Sequence, residues 1–325
     1  MKAVRLAEYN QYPKVTEVAE PKITGPHDVI VRIGGAGLCR TDLHIIEGQW
    51  AEKSGVELPY TLGHENAGWV EAIGSAVSNV AVGDTVIVHP LVPCGLCCAC
   101  RAGNDMHCSN STFPGISVDG GMADLLKTTA RAVVKLDSSL EPKDIAALAD
   151  AGLTAYYAVK KAAANLYPGT KVVVIGAGGL GHIGVQCLKA LTPAEIIVLD
   201  RSAEALALTK GWGADHTVLA DGGHVASVLD ITDGQGAEAV IDFVGEQGAE
   251  HDAVRMLRRA GSHYIIGYGG KLNVPTIDII STEINFIGNL VGSYNDLVEL
   301  MTLTAQGKVT LHTAVYPLDA ALDAI

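Results

Sequence analysis

The 325-residue chain is short of positive charge, of proline and of long apolar runs, and each shortage excludes something. Lysine and arginine number 23 against 36 aspartates and glutamates, a formal net charge of −13 at pH 7. A nucleic-acid binder needs basic side chains to neutralise phosphates, so nucleic acid is not an expected partner. No apolar run reaches the ~18 residues of a membrane span, which excludes a membrane-spanning helix. The opening MKAVRLAEYN lacks the apolar core of a secretory signal. The expected location is therefore the cytoplasm, where thiols stay reduced and clustered cysteines are metal ligands or redox groups. Proline is only 12 beside 37 glycines, which points to tight turns and close backbone approaches, not to disorder.

What is present is ordinary for a globular chain with ample core, 48% hydrophobic and 18% charged. Its length favours two domains. Over 1–152 the texture is short β-branched runs closed by glycine or proline: DVIVRIGGAG, AGWVEAIG and GDTVIVHP. After that the pattern changes. KVVVIGAGGLGHIGVQCLKAL and EIIVLDRSAEALALTKGWGA each read as strand then helix, and GAEAVIDFVG and GSHYIIGYGG as two further buried strands. Strands alternating with helices predict an α/β fold with a doubly wound parallel sheet over 153–287, after a β-rich domain over 1–152. The tail, 288–325, either extends the second domain or returns to the first. Its end, YPLDAALDAI, reads as an amphipathic helix just begun without a stop signal, so the natural terminus is expected further on.

Gly176, Gly178 and Gly181 spell G-x-G-x-x-G directly after the strand KVVVI and before a helix. Such glycines let the backbone approach a pyrophosphate seated on the positive end of the helix. Asp200, ending the next strand, is placed to accept hydrogen bonds from a ribose 2′-OH and to repel a 2′-phosphate. That favours NAD over NADP, although Arg201 beside it carries a group able to hold a phosphate.

Five of the seven cysteines crowd into VPCGLCCACRAGNDMHC. Cys94, Cys97, Cys100 and Cys108, spaced C-x2-C-x2-C-x7-C, suit four thiolates around one tetrahedral zinc. A compact iron–sulfur run has x3 before its last cysteine and then proline, whereas here the gap is x7 and Ser109 follows. A closed shell leaves no place for substrate, so this lobe, about 92–110, holds structure. Cys98 is left over, His107 is dispensable, and Cys187 reads as a core residue. Two further soft-to-borderline zinc donors, Cys39 and His64, lie on glycine-flanked loops in GLCRTDLH and GHENAG.

Taken together these residues resemble the zinc-dependent medium-chain alcohol dehydrogenases over almost the whole chain. GHENAGWVEAIGSAV matches the family's zinc signature, GD follows at 83–84, and the cysteine lobe and GAGGLG come in the family's order. The resemblance implies a GroES-like catalytic domain, a Rossmann domain, NAD(H), and one catalytic and one structural zinc per subunit. Cys39 and His64 would be catalytic-zinc ligands. Asp150, in LADAGLTAY, stands where many relatives have a cysteine, and a carboxylate oxygen is an acceptable ligand. Relatives with Asp there act on secondary alcohols and ketones.

By the same resemblance Glu65 is a carboxylate able to approach the metal, and Asp42 orients His64. The zinc would act as a Lewis acid on the alcohol oxygen while hydride passes to the nicotinamide. Thr41 would relay the proton through the ribose to His44. Arg40 would pair with the pyrophosphate and Thr154 with the nicotinamide side. Gly179, Leu180, Val244, Gly267, Tyr268 and Leu290 would complete the coenzyme contacts. Tyr268 and Leu290 would also line the inner substrate pocket, with Trp50 and Phe113 on its outer wall, selecting a hydrophobic alcohol or ketone. The family's usual state implies a homodimer or homotetramer joined near 270–290. The rival readings are a primary-alcohol, aromatic-alcohol, polyol or formaldehyde dehydrogenase on the same scaffold, or a non-catalytic zinc- and nucleotide-binding redox sensor. The intact Thr41 and His44 argue against the sensor, and Cys39, His64 and the cysteine lobe argue against a zinc-free quinone reductase.

Overall fold

The apolar run KVVVI forms the strand Lys171–Ile175, in which Val172, Val173 and Val174 are fully buried. In the computed structural model, which describes residues 1–325, this strand is central to a six-stranded sheet whose strands all run parallel. Across the sheet the order is His216–Leu219, Glu195–Asp200, Lys171–Ile175, Ala237–Asp242, Leu257–Ile265, Asn285–Gly288. Strand order therefore reverses between Lys171–Ile175 and Ala237–Asp242, the doubly wound Rossmann arrangement whose ligand crevice lies at the carboxyl ends of those strands. Interior strands of such a sheet are covered on both faces, which is why they read as unbroken aliphatic runs. Val173, Ile197, Leu199, Val240 and Met256 share one core cluster, each side chain contributing about 1.5–3 kcal/mol by burial. These elements belong to a compact unit spanning Thr154–Val291.

The other unit joins Met1–Leu153 to Gly292–Ile325. Its main sheet is antiparallel, in the order Leu125–Thr129, Asp28–Gly37, Glu65–Ile73, Thr85–Val88, Val133–Lys135. A smaller antiparallel sheet pairs Lys14–Glu17, Lys2–Leu6 and Tyr60–Thr61. Val29, Val31, Val70, Val86 and Val133 make the core of the main sheet. The returning segment starts with the helix Tyr294–Ala305. Ser293 caps it: its Oγ accepts the Asp296 N–H at 3.2 Å, and Asp296 Oδ2 accepts the Ser293 N–H at 2.8 Å. YPLDAALDAI forms a 3-10 turn, Leu318–Ala320, and a short helix, Ala321–Ala324. No helix is long and apolar enough to cross a membrane.

Candidate catalytic metal centre, cysteine lobe and coenzyme turn

Local backbone features bring four distant donors together in the first unit. Cys39 precedes the helix Arg40–Ile46, and its backbone N–H donates to Asp42 Oδ2 at 2.9 Å. His64 sits just before the strand Glu65–Ile73, after Gly63 at φ +97°. A Cβ on Gly115 would lie 2.4 Å from the Gly63 carbonyl oxygen, and one on Gly120 would lie 2.3 Å from it. Glycines at 115 and 120 thus let a neighbouring loop close over the His64 backbone, a collar whose only sequence signal was scattered glycines. Asp150 occupies the break (φ −126°, ψ −60°) between the turn Ala146–Ala149 and the helix Ala151–Ala163. The donor atoms of Cys39, His64, Glu65 and Asp150 all lie within 4.8 Å of one another.

The polar atoms here fit a cation. His64 is buried, yet neither ring nitrogen has a hydrogen-bond partner, nor do Asp150 Oδ1 and Asp42 Oδ1. His64 Nε2 lies 3.5 Å from Asp150 Oδ2, and Nδ1 lies 3.4 Å from Asp42 Oδ1. Each unmet buried polar atom costs about 1–3 kcal/mol, so their convergence calls for a positive ligand. Thiol, imidazole and carboxylate are the donor set that zinc accepts. Asp42 serves both sides, one oxygen on the Cys39 amide and the other facing His64. Glu65 is wedged behind: its Oε1 accepts the Ala151 N–H at 2.9 Å, and a Cβ on Gly37 would lie 2.0 Å from its Oε2.

Without a cation the protonated forms of these groups are favoured. Burial pushes the Cys39 thiol and the Asp150 carboxyl up, and raises Glu65 to about 8. Burial alone would lower His64, but Asp42, Cys39 and Asp150 together outweigh it and hold the imidazole well above its usual range. A divalent ion must displace those protons, so zinc affinity at this centre is expected to rise with pH. Chelator competition at pH 6 and pH 8 should show binding at least about tenfold tighter at the higher pH; equal affinity would contradict this protonation pattern.

Thr41 and His44 lie three residues apart on the helix Arg40–Ile46 and so share a side, with Arg40 at its first position. The Phe113 ring meets His64 edge-on at 6.0 Å between centroids. Trp50, like Phe113, packs against the core around Leu6 and Ile45. Tyr268 and Leu290 are exposed and belong to the second unit, as does Thr154.

In the lobe the sulfurs of Cys94, Cys97, Cys100 and Cys108 also lie within 4.8 Å of one another. Backbone amides point at them: Cys94 N–H donates to Cys108 Sγ at 3.3 Å and Leu96 N–H to Cys94 Sγ at 3.5 Å. The Cys100 N–H likewise pulls Cys97 down to about 6. Amides aimed at sulfur favour thiolate, the metal-binding form. Cys98 is exposed outside this group, as is His107. Cys187 is buried in the helix Gly181–Leu191, where burial pushes its thiol to about 12.

In the second unit Gly176 leaves the strand at φ +94° and its N–H donates to the Leu199 carbonyl at 2.8 Å. A Cβ on Gly181 would lie 1.8 Å from the Gly176 oxygen, whereas one on Gly178 or Gly179 would meet nothing within 4 Å. The turn is tight at its base and open at its crest, as an approaching pyrophosphate requires. Leu180 caps the following helix. Asp200 is held by two amides, Ala177 N–H on Oδ2 at 2.7 Å and Ser202 N–H on Oδ1 at 2.8 Å. Gly176, Asp200, Arg201 and Val244 line a cavity of about 220 Å³. Arg201 Nη1 donates to Gln247 Oε1.

Residues 25–138 match the family model described as alcohol dehydrogenase GroES-like domain, and residues 179–306 match zinc-binding dehydrogenase. An alcohol dehydrogenase of Geobacillus stearothermophilus is 34% identical over 98% of this chain and 93% of its own length. The chain belongs to the zinc-dependent medium-chain dehydrogenases. An NAD-dependent alcohol dehydrogenase of Sulfurisphaera tokodaii is 35% identical, covering 100% of this chain and 95% of that one. The crystal structure of the alcohol dehydrogenase of the hyperthermophilic archaeon Aeropyrum pernix superposes with a TM-score of 0.96 at 49% identity, covering 100% and 95%. The GroES-like and Rossmann folds expected from sequence are those of this family.

Proposed function

We propose that the chain transfers hydride reversibly between NAD(H) and a hydrophobic secondary alcohol or ketone. One observation carries this reading: the Cys39, His64 and Asp150 donors converge in a site where buried polar atoms of His64 and Asp150 lack hydrogen-bond partners. Glu65 Oε1 is taken by the Ala151 amide; with Cys39, His64 and Asp150 as the three ligands, a fourth position is left for a substrate oxygen. Bound there, zinc supplies Lewis-acid polarisation of the alcohol C–O group. Asp42 keeps the His64 ring turned toward the site. Thr41 Oγ1 would accept the substrate hydroxyl proton as it hands its own proton on through the coenzyme ribose, and His44 would pass that proton to solvent. Phe113, edge-on to His64, offers an apolar wall that excludes water and favours apolar substituents. Asp200 accepts the ribose hydroxyl, which supports NAD; Arg201 donates one N–H to Gln247 Oε1 and keeps its other donors. Absorbance at 340 nm with NAD and a panel of alcohols tests the reading. Secondary alcohols should give the highest kcat/KM; a preference for primary alcohols or polyols shifts the substrate class, and no turnover at all supports the sensor.

Coenzyme choice has its own test. Asp200→Gly is expected to lower the NAD/NADP ratio of kcat/KM by about a hundredfold, through loss of both the ribose contact and the repulsion of a phosphate. A wild-type preference for NADP would overturn the assignment. We also read the chain as a cytoplasmic homodimer or homotetramer. Its support is the edge strand Asn285–Gly288 and the neighbouring helix Thr276–Thr282, with Ile277 and Ile280 66% and 72% exposed. Light scattering after size exclusion decides that state.

A further inference from the structure

Beneath the coenzyme turn two titratable side chains lie buried where no step of the proposed chemistry uses them. Asp242 ends the strand Ala237–Asp242, and His263 lies on its parallel neighbour Leu257–Ile265; both are 0% exposed. His263 Nε2 is 3.6 Å from Asp242 Oδ2, and neither ring nitrogen of His263 has a hydrogen-bond partner. Burying such a pair inside a sheet is costly, and an apolar pair would pack there at less expense.

The other oxygens of Asp242 are bonded to the loops that follow the two strands. Its Oδ1 accepts the N–H groups of Val244 and Gly245, each at 2.9 Å. Its main-chain oxygen accepts those of Ile266 and Gly267, each at 3.0 Å. The Asp242 side chain thus ties down the loop after its own strand, and its main-chain oxygen holds the loop after the adjacent strand. The loops touch back to back: a Cβ on Gly245 would lie 2.0 Å from the Gly267 oxygen, and one on Gly267 would lie 2.2 Å from the Val244 carbonyl carbon. Val244 in turn presses on the phosphate turn, where a Cβ on Gly176 would lie 2.9 Å from its Cγ2. In a doubly wound sheet each half receives one mononucleotide. The half bearing Asp200 takes adenosine; Val244 also lines that cavity, but the strands Ala237–Asp242 and Leu257–Ile265 belong to the other half, which is left for the nicotinamide end.

We propose that Asp242, backed by His263, is a positioning residue for the coenzyme: its side chain clamps loop 243–245, against which loop 266–267 packs, in the register that receives the nicotinamide half. The inference rests on the coenzyme reading above. The test is titration of the full-length, zinc-loaded protein with NADH and with ADP-ribose, which lacks the nicotinamide ring. Asp242→Ala should weaken NADH about tenfold or more and ADP-ribose less than about threefold. Asp242→Asn keeps an oxygen for the Val244 and Gly245 amides and should restore both affinities to within about threefold of wild type. Equal weakening of the two ligands by Asp242→Ala, no weakening, or an Asn variant as poor as Ala would each overturn the clamp. Should Asp242→Ala not fold, His263→Leu serves in its place: a loss of NADH affinity of about threefold with ADP-ribose unchanged supports the pair, and no selective loss overturns it. A wild-type protein that binds neither ligand would instead overturn the coenzyme reading itself.

Discussion

Asp150→Ala is expected to lower kcat/KM by about three orders of magnitude or more, while the melting temperature moves by only a few degrees. The size follows from what is lost. Metal polarisation of the reacting oxygen is worth several kcal/mol, and each 1.36 kcal/mol is tenfold in rate. The small thermal effect follows from place, since Asp150 lies at a break between two helical segments and its Oδ1 has no hydrogen-bond partner to lose. Zinc analysis should find one of the two ion positions emptied and the cysteine lobe still loaded. Asp150→Asn separates ligation from shape, because an amide of equal size is a poor zinc ligand. If the asparagine variant keeps full zinc and full turnover, Asp150 is not a ligand. In that case Glu65, whose donor oxygen belongs to the same group, becomes the third donor, and Glu65→Gln should then abolish metal binding.

The parts of the fold legible in sequence were those whose burial leaves a local trace. KVVVI, EIIVLD and AEAVID are interior parallel strands, covered on both faces, and such strands cannot avoid aliphatic runs. The four-residue strands His216–Leu219 and Asn285–Gly288 went unread, because edge strands stay half exposed and half polar. The same contrast runs through the sites. Four cysteines spaced within one loop announce their grouping by proximity in the chain. Asp150 had no local mark at all; only the resemblance singled out its position, and folding carries it next to His64, 86 residues away in the chain for its neighbour Ala151 and Glu65. The Asp242–His263 pair was hidden for another reason. A lone Asp at the end of VID and a lone His in SHYII look like strand-end polarity until the register of two parallel strands, Val240 opposite His263 and Asp242 opposite Ile265, sets them diagonally on one face.

Cys100→Ser should leave the chemistry nearly intact and take away stability, lowering the melting temperature by about 10 °C. The Cys100 sulfur is buried within the lobe, 3.5 Å from Cys97 Sγ, so losing it opens the metal shell and leaves three thiols to repel one another as they ionise. A structural zinc contributes folding free energy directly, and about 3 kcal/mol lost corresponds to about 10 °C for a domain of this size. The effect should spread beyond the loop through Asp105, which lies between the last two cysteines. Asp105 Oδ1 holds Arg131 Nη2 and its Oδ2 accepts the Tyr294 N–H, both at 3.3 Å, so a loosened lobe frees the first turn of the helix Tyr294–Ala305. Hydrogen exchange should therefore rise over 94–108 and at the start of that helix, while the strands of the parallel sheet stay protected. Turnover per remaining folded chain should change by less than about threefold at 25 °C, since the lobe holds no open ligand position. An unshifted melting curve with selective loss of hydride transfer would assign the lobe a catalytic role and reverse the division between the two metal sites.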